Sequence, residues 1–170
     1  MGDNFVINIG RQLGSGGREI GEKLAASLEI SFYDKELINL ASEESGLCRD
    51  FFEKADEKPS QPLMNGLFGM RFPFPNDSIM ACNSCLSNDA LFKVQSDVIR
   101  KLAAEKSCLF VGRCADYILR DHPRHVNVFV SASLDDRIER LCQTMHVSKA
   151  EAEELIERTD KKRSEYYNYY

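Results

Sequence analysis

Between Gly10 and Gly17 the chain places four of its ten glycines, in the string Gly10-Arg-Gln-Leu-Gly14-Ser-Gly16-Gly17. The apolar run Phe5-Val-Ile-Asn-Ile9 precedes it and reads as a buried strand. Ile20, Leu24, Ala25 and Leu28 follow at helical spacing. Strand, glycine-rich turn and helix, in that order, constrain the fold more than any other feature. Small residues let backbone N–H groups converge, and the helix adds the positive end of its dipole. Phosphate is the natural occupant of such a turn, and a purely structural tight turn is the alternative. The turn departs from the GxxxxGK[ST] loop, because no lysine occurs before Lys23. Arg18 is the first cation at the helix start, and Glu19 follows it.

The remainder alternates strand and helix. Ile30-Ser-Phe-Tyr33 reads as a second strand closed by Asp34, and a helical pattern runs over residues 35–55. Residues 59–77 hold four of the five prolines and show no sustained periodicity. They read either as a flap that orders against a ligand or as an insertion without fixed structure. Residues 88–105 form an amphipathic helix with Leu91, Val94, Val98, Ile99 and Leu102 on one face. Ser107–Val111 and His125–Val130 read as further strands, with a short helix to Arg120 between them. Ser133-x-x-Asp136 opens a helix through Met145, on which Arg137 and Arg140 read as surface decoration. Ser148-x-x-Glu151 is a capping box for a last helix. Strands that alternate with helices argue for a parallel α/β sheet with right-handed crossovers. Ligands then sit beyond the carboxyl ends of the strands, at Gly10–Arg18, Asp34, Gly112–Cys114 and Ser131–Ser133.

Composition narrows the function classes. A length of 170 residues suits one domain, or one core with an insertion. No apolar run approaches the ~20 residues of a membrane span. The first residues carry no basic segment followed by a long apolar run, so a cytoplasmic protein without a secretory signal is expected. The net charge is −5, and residues 34–92 account for all of it, with 10 acids against 5 bases. An acidic segment of that kind argues against a nucleic-acid partner. Cys82-Asn-Ser-Cys85 has no second cysteine pair to complete a zinc site, so the six cysteines read as reduced thiols and no metal ligands are assigned.

Val6-Ile-Asn-Ile-Gly-Arg-Gln-Leu-Gly-Ser-Gly-Gly-Arg-Glu-Ile-Gly-Glu-Lys-Leu-Ala25, followed by Phe32-Tyr-Asp34, resembles the opening of the cytidylate kinase-like family. Leu109-Phe-Val-Gly-Arg-Cys-Ala-Asp116, Val126-Asn-Val-Phe-Val-Ser-Ala-Ser133 and Asp160-Lys-Lys-Arg163 extend the likeness. The resemblance implies a P-loop kinase-like parallel sheet with flanking helices. It implies a CORE at residues 1–34 and 93–145, a helical insertion at 35–92 that binds a nucleoside monophosphate, and a LID-like helix at 146–170. Family members continue into another strand and helix. The chain is therefore expected to be cut short at its C-terminus, which would leave one sheet edge or core slot unfilled, for stability elsewhere or homo-oligomerisation to compensate.

The implied activity is transfer of the ATP γ-phosphoryl group, with Mg²⁺, to a small acceptor such as CMP. Gly14, Ser15, Gly16, Gly17, Arg18 and Glu19 would hold ATP. Asp34 would hold the acceptor or cap the helix after it, and Arg113 would take the acceptor's phosphate. Arg18, Arg158 and Arg163 would stabilise the transferring phosphoryl. An ungapped register puts Gly17 where the loop lysine belongs, and Arg18 or Arg11 would substitute for it. Cys114 replaces the aspartate that reads the base, so this position does not support a preference for cytosine. Two rival readings follow: a nucleotide-binding sensor without turnover, and a kinase for a non-nucleotide metabolite.

Overall fold

The computed structural model describes residues 4–35, residue 38 and residues 88–170. The helical pattern expected over 36–55, the proline-rich stretch and the Cys82/Cys85 pair lie outside the described residues, residue 38 apart. Among the described residues the order is β1 (Val6–Arg11), α1 (Gly17–Ser27), β2 (Ser31–Tyr33), α2 (Asn88–Glu105), β3 (Cys108–Val111), α3 (Ala115–Ile118), β4 (His125–Val130), α4 (Leu134–Met145) and α5 (Lys149–Tyr169).

The strands form one parallel sheet in the order β2-β3-β1-β4. Val6 is level with both Cys108 and His125, so β1, β3 and β4 start together; β3 ends at Val111, level with Ile9, while β1 and β4 run on to the Arg11–Val130 pair. The Gly10–Arg18, Asp34, Gly112–Cys114 and Ser131–Ser133 segments therefore meet along one edge, as the alternation predicts. β3 is buried along its whole length. On one face Val6, Phe110, Ile38, Ile99 and Ala115 form a core, and Tyr33 stacks on Phe110 with ring centroids 5.5 Å apart. On the other face Ile9, Leu109, Val111 and Ala25 form a second core. Fully burying an aliphatic side chain contributes about 1.5–3 kcal/mol, so these two clusters hold the sheet between its helices.

α1 is present, but its buried face differs from the one its large apolar residues suggest. Ile20, Leu24 and Leu28 are exposed, whereas Gly17, Gly21 and Ala25 face the sheet. A Cβ on Gly21 would meet Ile9 Cδ1 and Leu109 Cδ2 at 3.2 Å and Val111 Cγ2 at 3.3 Å. The helix thus packs close to the sheet on a small-residue stripe, and that closeness brings its N-terminus to the strand ends.

The two last helices start where the sequence places them. Ser133 Oγ accepts from the Asp136 N–H at 3.2 Å, and Ser148 with Glu151 makes a reciprocal capping box. Leu141 of α4 packs against Ala152 and Ile156 of α5. The tyrosine-rich end of α5 also has a packing role: Tyr170 stacks on Phe92 of α2 with centroids 3.8 Å apart, and Tyr167 Oη donates to Asp116 Oδ2 at 2.7 Å.

Close packing at Gly21 predicts an asymmetry that urea unfolding can measure. Gly21→Leu should lower stability by about 2 kcal/mol or more through overpacking, whereas Ile20→Ser, on the exposed face, should change it by less than ~0.5 kcal/mol.

Candidate active site

The glycine-rich turn is shaped by its own backbone and then clamped from outside. Gly14 and Gly16 take positive φ values of 78° and 80°, which glycine adopts without strain. Ser15 Oγ donates to the Gln12 carbonyl at 2.8 Å and accepts from the Gly17 N–H at 3.4 Å. Gly16 is the N-cap of α1 and supplies no side-chain hydrogen bond to it. The helix therefore opens without the cap that a serine or aspartate would provide.

The clamp comes from the last two helices. Leu13 N–H donates to Asp160 Oδ1 at 2.8 Å, and Arg137 Nε donates to the Leu13 carbonyl at 2.7 Å. Arg137 Nη2 also pairs directly with Asp160 Oδ2. Arg137 is buried, with only 6% of its surface exposed, which corrects its expected place on a solvated helix face. The Asp160 carboxylate and the Leu13 carbonyl draw it inward, because a buried guanidinium needs such partners. Arg140 does not simply decorate the surface either: it pairs with Glu19 Oε2 at 2.9 Å and lies against Gly16.

A cleft of about 910 Å³ opens at the carboxyl ends of β1, β3 and β4, roofed by α5. Among the described residues five cations line it: Arg11, Lys35, Arg113, Lys162 and Arg163. Two described acids also line it, and both are engaged: Asp116 accepts from Tyr167, and Asp160 serves the clamp and faces Arg163 at 3.9 Å. The cleft is thus suited to an anion. Arg163 Nη1 donates to the Arg11 carbonyl at 3.2 Å, and burial draws its guanidinium pKa below the usual value.

Arg113 shows the clearest functional signature. Gly112, Arg113 and Cys114 take φ values of 80°, 59° and 52°, three left-handed residues in succession. Two of them carry side chains, and such strain costs about 1–3 kcal/mol each and clusters at functional sites. The Arg113 guanidinium lies 5.5 Å from the Tyr166 ring centre, and its buried Nε has no hydrogen-bond partner among the described residues. A buried guanidinium N–H without a partner is rare and calls for an explanation, which a functional role can supply.

A model of the cytidylate kinase-like family matches residues 6–170. The chain belongs to that family. Among solved structures, an uncharacterized protein from Eubacterium ventriosum is similar at 25% identity and a TM-score of 0.69, with 98% of this chain and 78% of that one covered. A gluconokinase from Sinorhizobium meliloti is more distant, at 15% identity and a TM-score of 0.46 over 91% of this chain and 74% of its own. No curated protein matches the chain.

This cytidylate kinase-like chain gathers some of the expected residues and disperses others. Arg113 and Arg163 line one cleft. Gly14 and Ser15 instead face a separate groove beside α4, whose lining includes Arg140 and Asp136. Arg18 turns away from the glycine-rich turn: its Nε and Nη2 reach Asp34 Oδ2 at 2.9 and 2.8 Å. Asp34 is buried, and its carbonyl also accepts from the Ile38 N–H at 2.9 Å, so it begins a helical turn. The Glu19 carboxylate is held by Lys23 at 2.7 Å and by Arg140, which together keep its pKa below the usual carboxylate value. Arg158 is exposed and does not line the cleft, whereas Lys162 one turn later does.

Cys114 cannot act as a charged base reader. Burial, reinforced by nearby Asp116, pushes its thiol up to about 11. Sequence reasoning missed Lys35, the clamp residue Arg137, and the Asn8–Asn127 pair on the cleft wall, where Asn8 Nδ2 donates to Asn127 Oδ1 at 2.8 Å. A polar residue between Ile7 and Ile9 in a buried strand is the signal that could have found Asn8.

Three outcomes follow. Arg137→Ala should cost about 3 kcal/mol in urea unfolding, the low end for a broken buried pair because Asp160 is about a quarter exposed. Cys108 and Cys114 both hold their protons to about pH 11, against an ordinary value of 9.0. The folded state thus binds more protons than the unfolded state between those values, and stability should fall as pH rises through that window. Unfolding midpoints from pH 8 to 10.5 check the sign. Iodoacetamide at pH 8 should label Cys114 far more slowly in folded than in unfolded protein.

Proposed function

We propose that this protein is an ATP-dependent kinase that moves the γ-phosphoryl group to a small acceptor, a nucleoside monophosphate such as CMP. The observation that carries the reading is Arg113: a strained, left-handed arginine at a strand's carboxyl end that lines a cation-rich cleft, with a buried Nε that has no hydrogen-bond partner among the described residues. Membership of the cytidylate kinase-like family supports the reaction class. Residues 35–92 would bind the acceptor, and 146–170 would act as the LID over it. The cytoplasm, where ATP is abundant, is the compartment this reading requires.

The residues present suit a nucleotide with its magnesium carried on the phosphates. The α1 N-cap Gly16 supplies no side-chain hydrogen bond, and Ser15 Oγ meets the Gly17 N–H, so a phosphate would complete the helix start. Ser15 and Glu19 are both committed to protein partners, and Mg²⁺ would be held by phosphate oxygens and water. When bound, the metal supplies neutralising charge to the phosphates. Arg113 would orient the acceptor phosphate through its planar fork. Arg163 would add charge from α5, and the clamp through Leu13 would hold the turn in register. Asp34, fixed by Arg18, would border the acceptor site.

A second reading is a nucleotide-binding sensor. The glycine at position 17 and the neutral thiol of Cys114 favour it, since both remove charged groups that turnover would use.

Calorimetric titration with ATP·Mg²⁺ and with each nucleoside monophosphate, followed by a product assay, separates the readings. A diphosphate product is expected, with Arg113→Gln weakening the monophosphate by about 10- to 100-fold while leaving ATP nearly unaffected. Nucleotide binding without product would establish the sensor instead, and absence of binding would overturn both.

A further inference from the structure

We propose that Arg11 is the cation that faces the transferring phosphates, entering from strand β1 rather than from helix α1; the inference rests on the phosphoryl-transfer reading above. In a GxxxxGK[ST] loop the lysine starts the helix and reaches the β- and γ-phosphates. Here the first residue of α1 is Gly17.

The slot beside Gly17 is already filled. A Cβ at Gly17 would stand 2.6 Å from Arg11 Cβ, 3.3 Å from Arg11 Cγ and 3.2 Å from Val130 Cβ. Arg11 Cβ and Val130 Cβ are fixed to the backbone of paired strands, level with each other in the sheet, so neither moves aside cheaply. A lysine at position 17 and the arginine at position 11 therefore exclude each other. The Arg11 stem runs where a side chain of residue 17 would begin.

The far end of Arg11 lies in the cleft. A Cβ on Gly112 would land on Arg11 Nη1, so the guanidinium rests against the residue that precedes Arg113. Arg11 thus extends from the start of α1 to the strained turn that presents the acceptor-side arginine. Its backbone is held at the carbonyl by Arg163, and the next N–H, that of Gln12, donates to the Val130 carbonyl at 3.1 Å. The rival cation, Arg18, points at Asp34.

A guanidinium fits this role chemically. It stays charged at every working pH and offers parallel N–H donors to two oxygens of a phosphate. In the transfer, the γ-phosphorus leaves its bridging oxygen, which keeps the electron pair on ADP. It bonds to an unprotonated oxygen of the acceptor phosphate. Arg11 exchanges no proton; it neutralises charge on the oxygens around the breaking bond.

The test uses the full chain and two probes, ATP·Mg²⁺ and inorganic tripolyphosphate, in calorimetric titrations with melting curves for each variant. Arg11→Gln keeps most of the stem and removes the charge. Its affinity for both probes should fall about 10- to 100-fold, while Arg11→Lys should retain most of it. Arg11→Gly combined with Gly17→Lys clears the slot and moves the cation to the helix, and should recover binding lost in Arg11→Gly alone. If that double variant does not melt cooperatively, the Arg11→Gln comparison decides by itself. Wild-type binding that Arg11→Gln leaves unchanged would overturn this assignment alone. Wild-type protein that binds neither probe would overturn the phosphoryl-transfer reading, and this inference with it.

Discussion

The geometry of the site depends on the backbone of a single residue, Leu13. The N–H and carbonyl of Leu13 are both taken, one by Asp160 and the other by Arg137, and these two side chains also bond each other. A glycine-rich turn is entropically costly to hold in one shape, since glycine loses more freedom on folding than any other residue. Two charged groups brought largely out of water would cost several kcal/mol if left alone. Each problem offsets the other. The turn gives the ions their remaining hydrogen bonds, and the ions give the turn its shape. The consequence is that α4 and α5, at the far end of the chain, set the conformation of a loop near its beginning.

The same reciprocity appears at the edge of the sheet. Arg11 projects from the end of β1, and Arg113 follows β3. The parallel register brings both to one level, because Ile9 pairs with Val111. Arg163 then descends from α5 onto the Arg11 carbonyl. Asp160 Oδ1 lies 3.9 Å from Arg163 Nη1, so the carboxylate that holds the turn also faces the cations of the cleft. The left-handed run through Gly112, Arg113 and Cys114 adds backbone strain at the same place.

Much of the fold was legible because its signals are local. Short runs of Val, Ile and Phe marked all four strands, and the serine caps at 133 and 148 marked both last helices. The face of α1 was not legible. Its large apolar residues and its Gly17–Gly21–Ala25 stripe compete at the same spacing, and only the proximity of Ile9 and Leu109 decides for the small ones. Arg137 was misplaced for a related reason. A charged residue on an amphipathic helix reads as solvated unless its partner is known, and Asp160 lies on a different helix. Arg113 was found because it follows a strand, whereas the direction of Arg11 depends on two glycines on separate elements. The Asn8–Asn127 contact follows from strand register, which spacing along one chain does not reveal.

The tyrosines that close α5 against α2 give the molecule an optical property of its own. The chain has no tryptophan and six tyrosines, four of them within its last five positions. Tyr166 faces the Arg113 guanidinium and also packs edge-on against Phe92 and Tyr170. Ultraviolet emission and near-ultraviolet dichroism of the unlabelled protein therefore come largely from side chains beside the cleft. A ligand that draws Arg113 away from Tyr166 changes the surroundings of that ring directly, so the protein's own absorbance band reports occupancy of the cleft without any added dye.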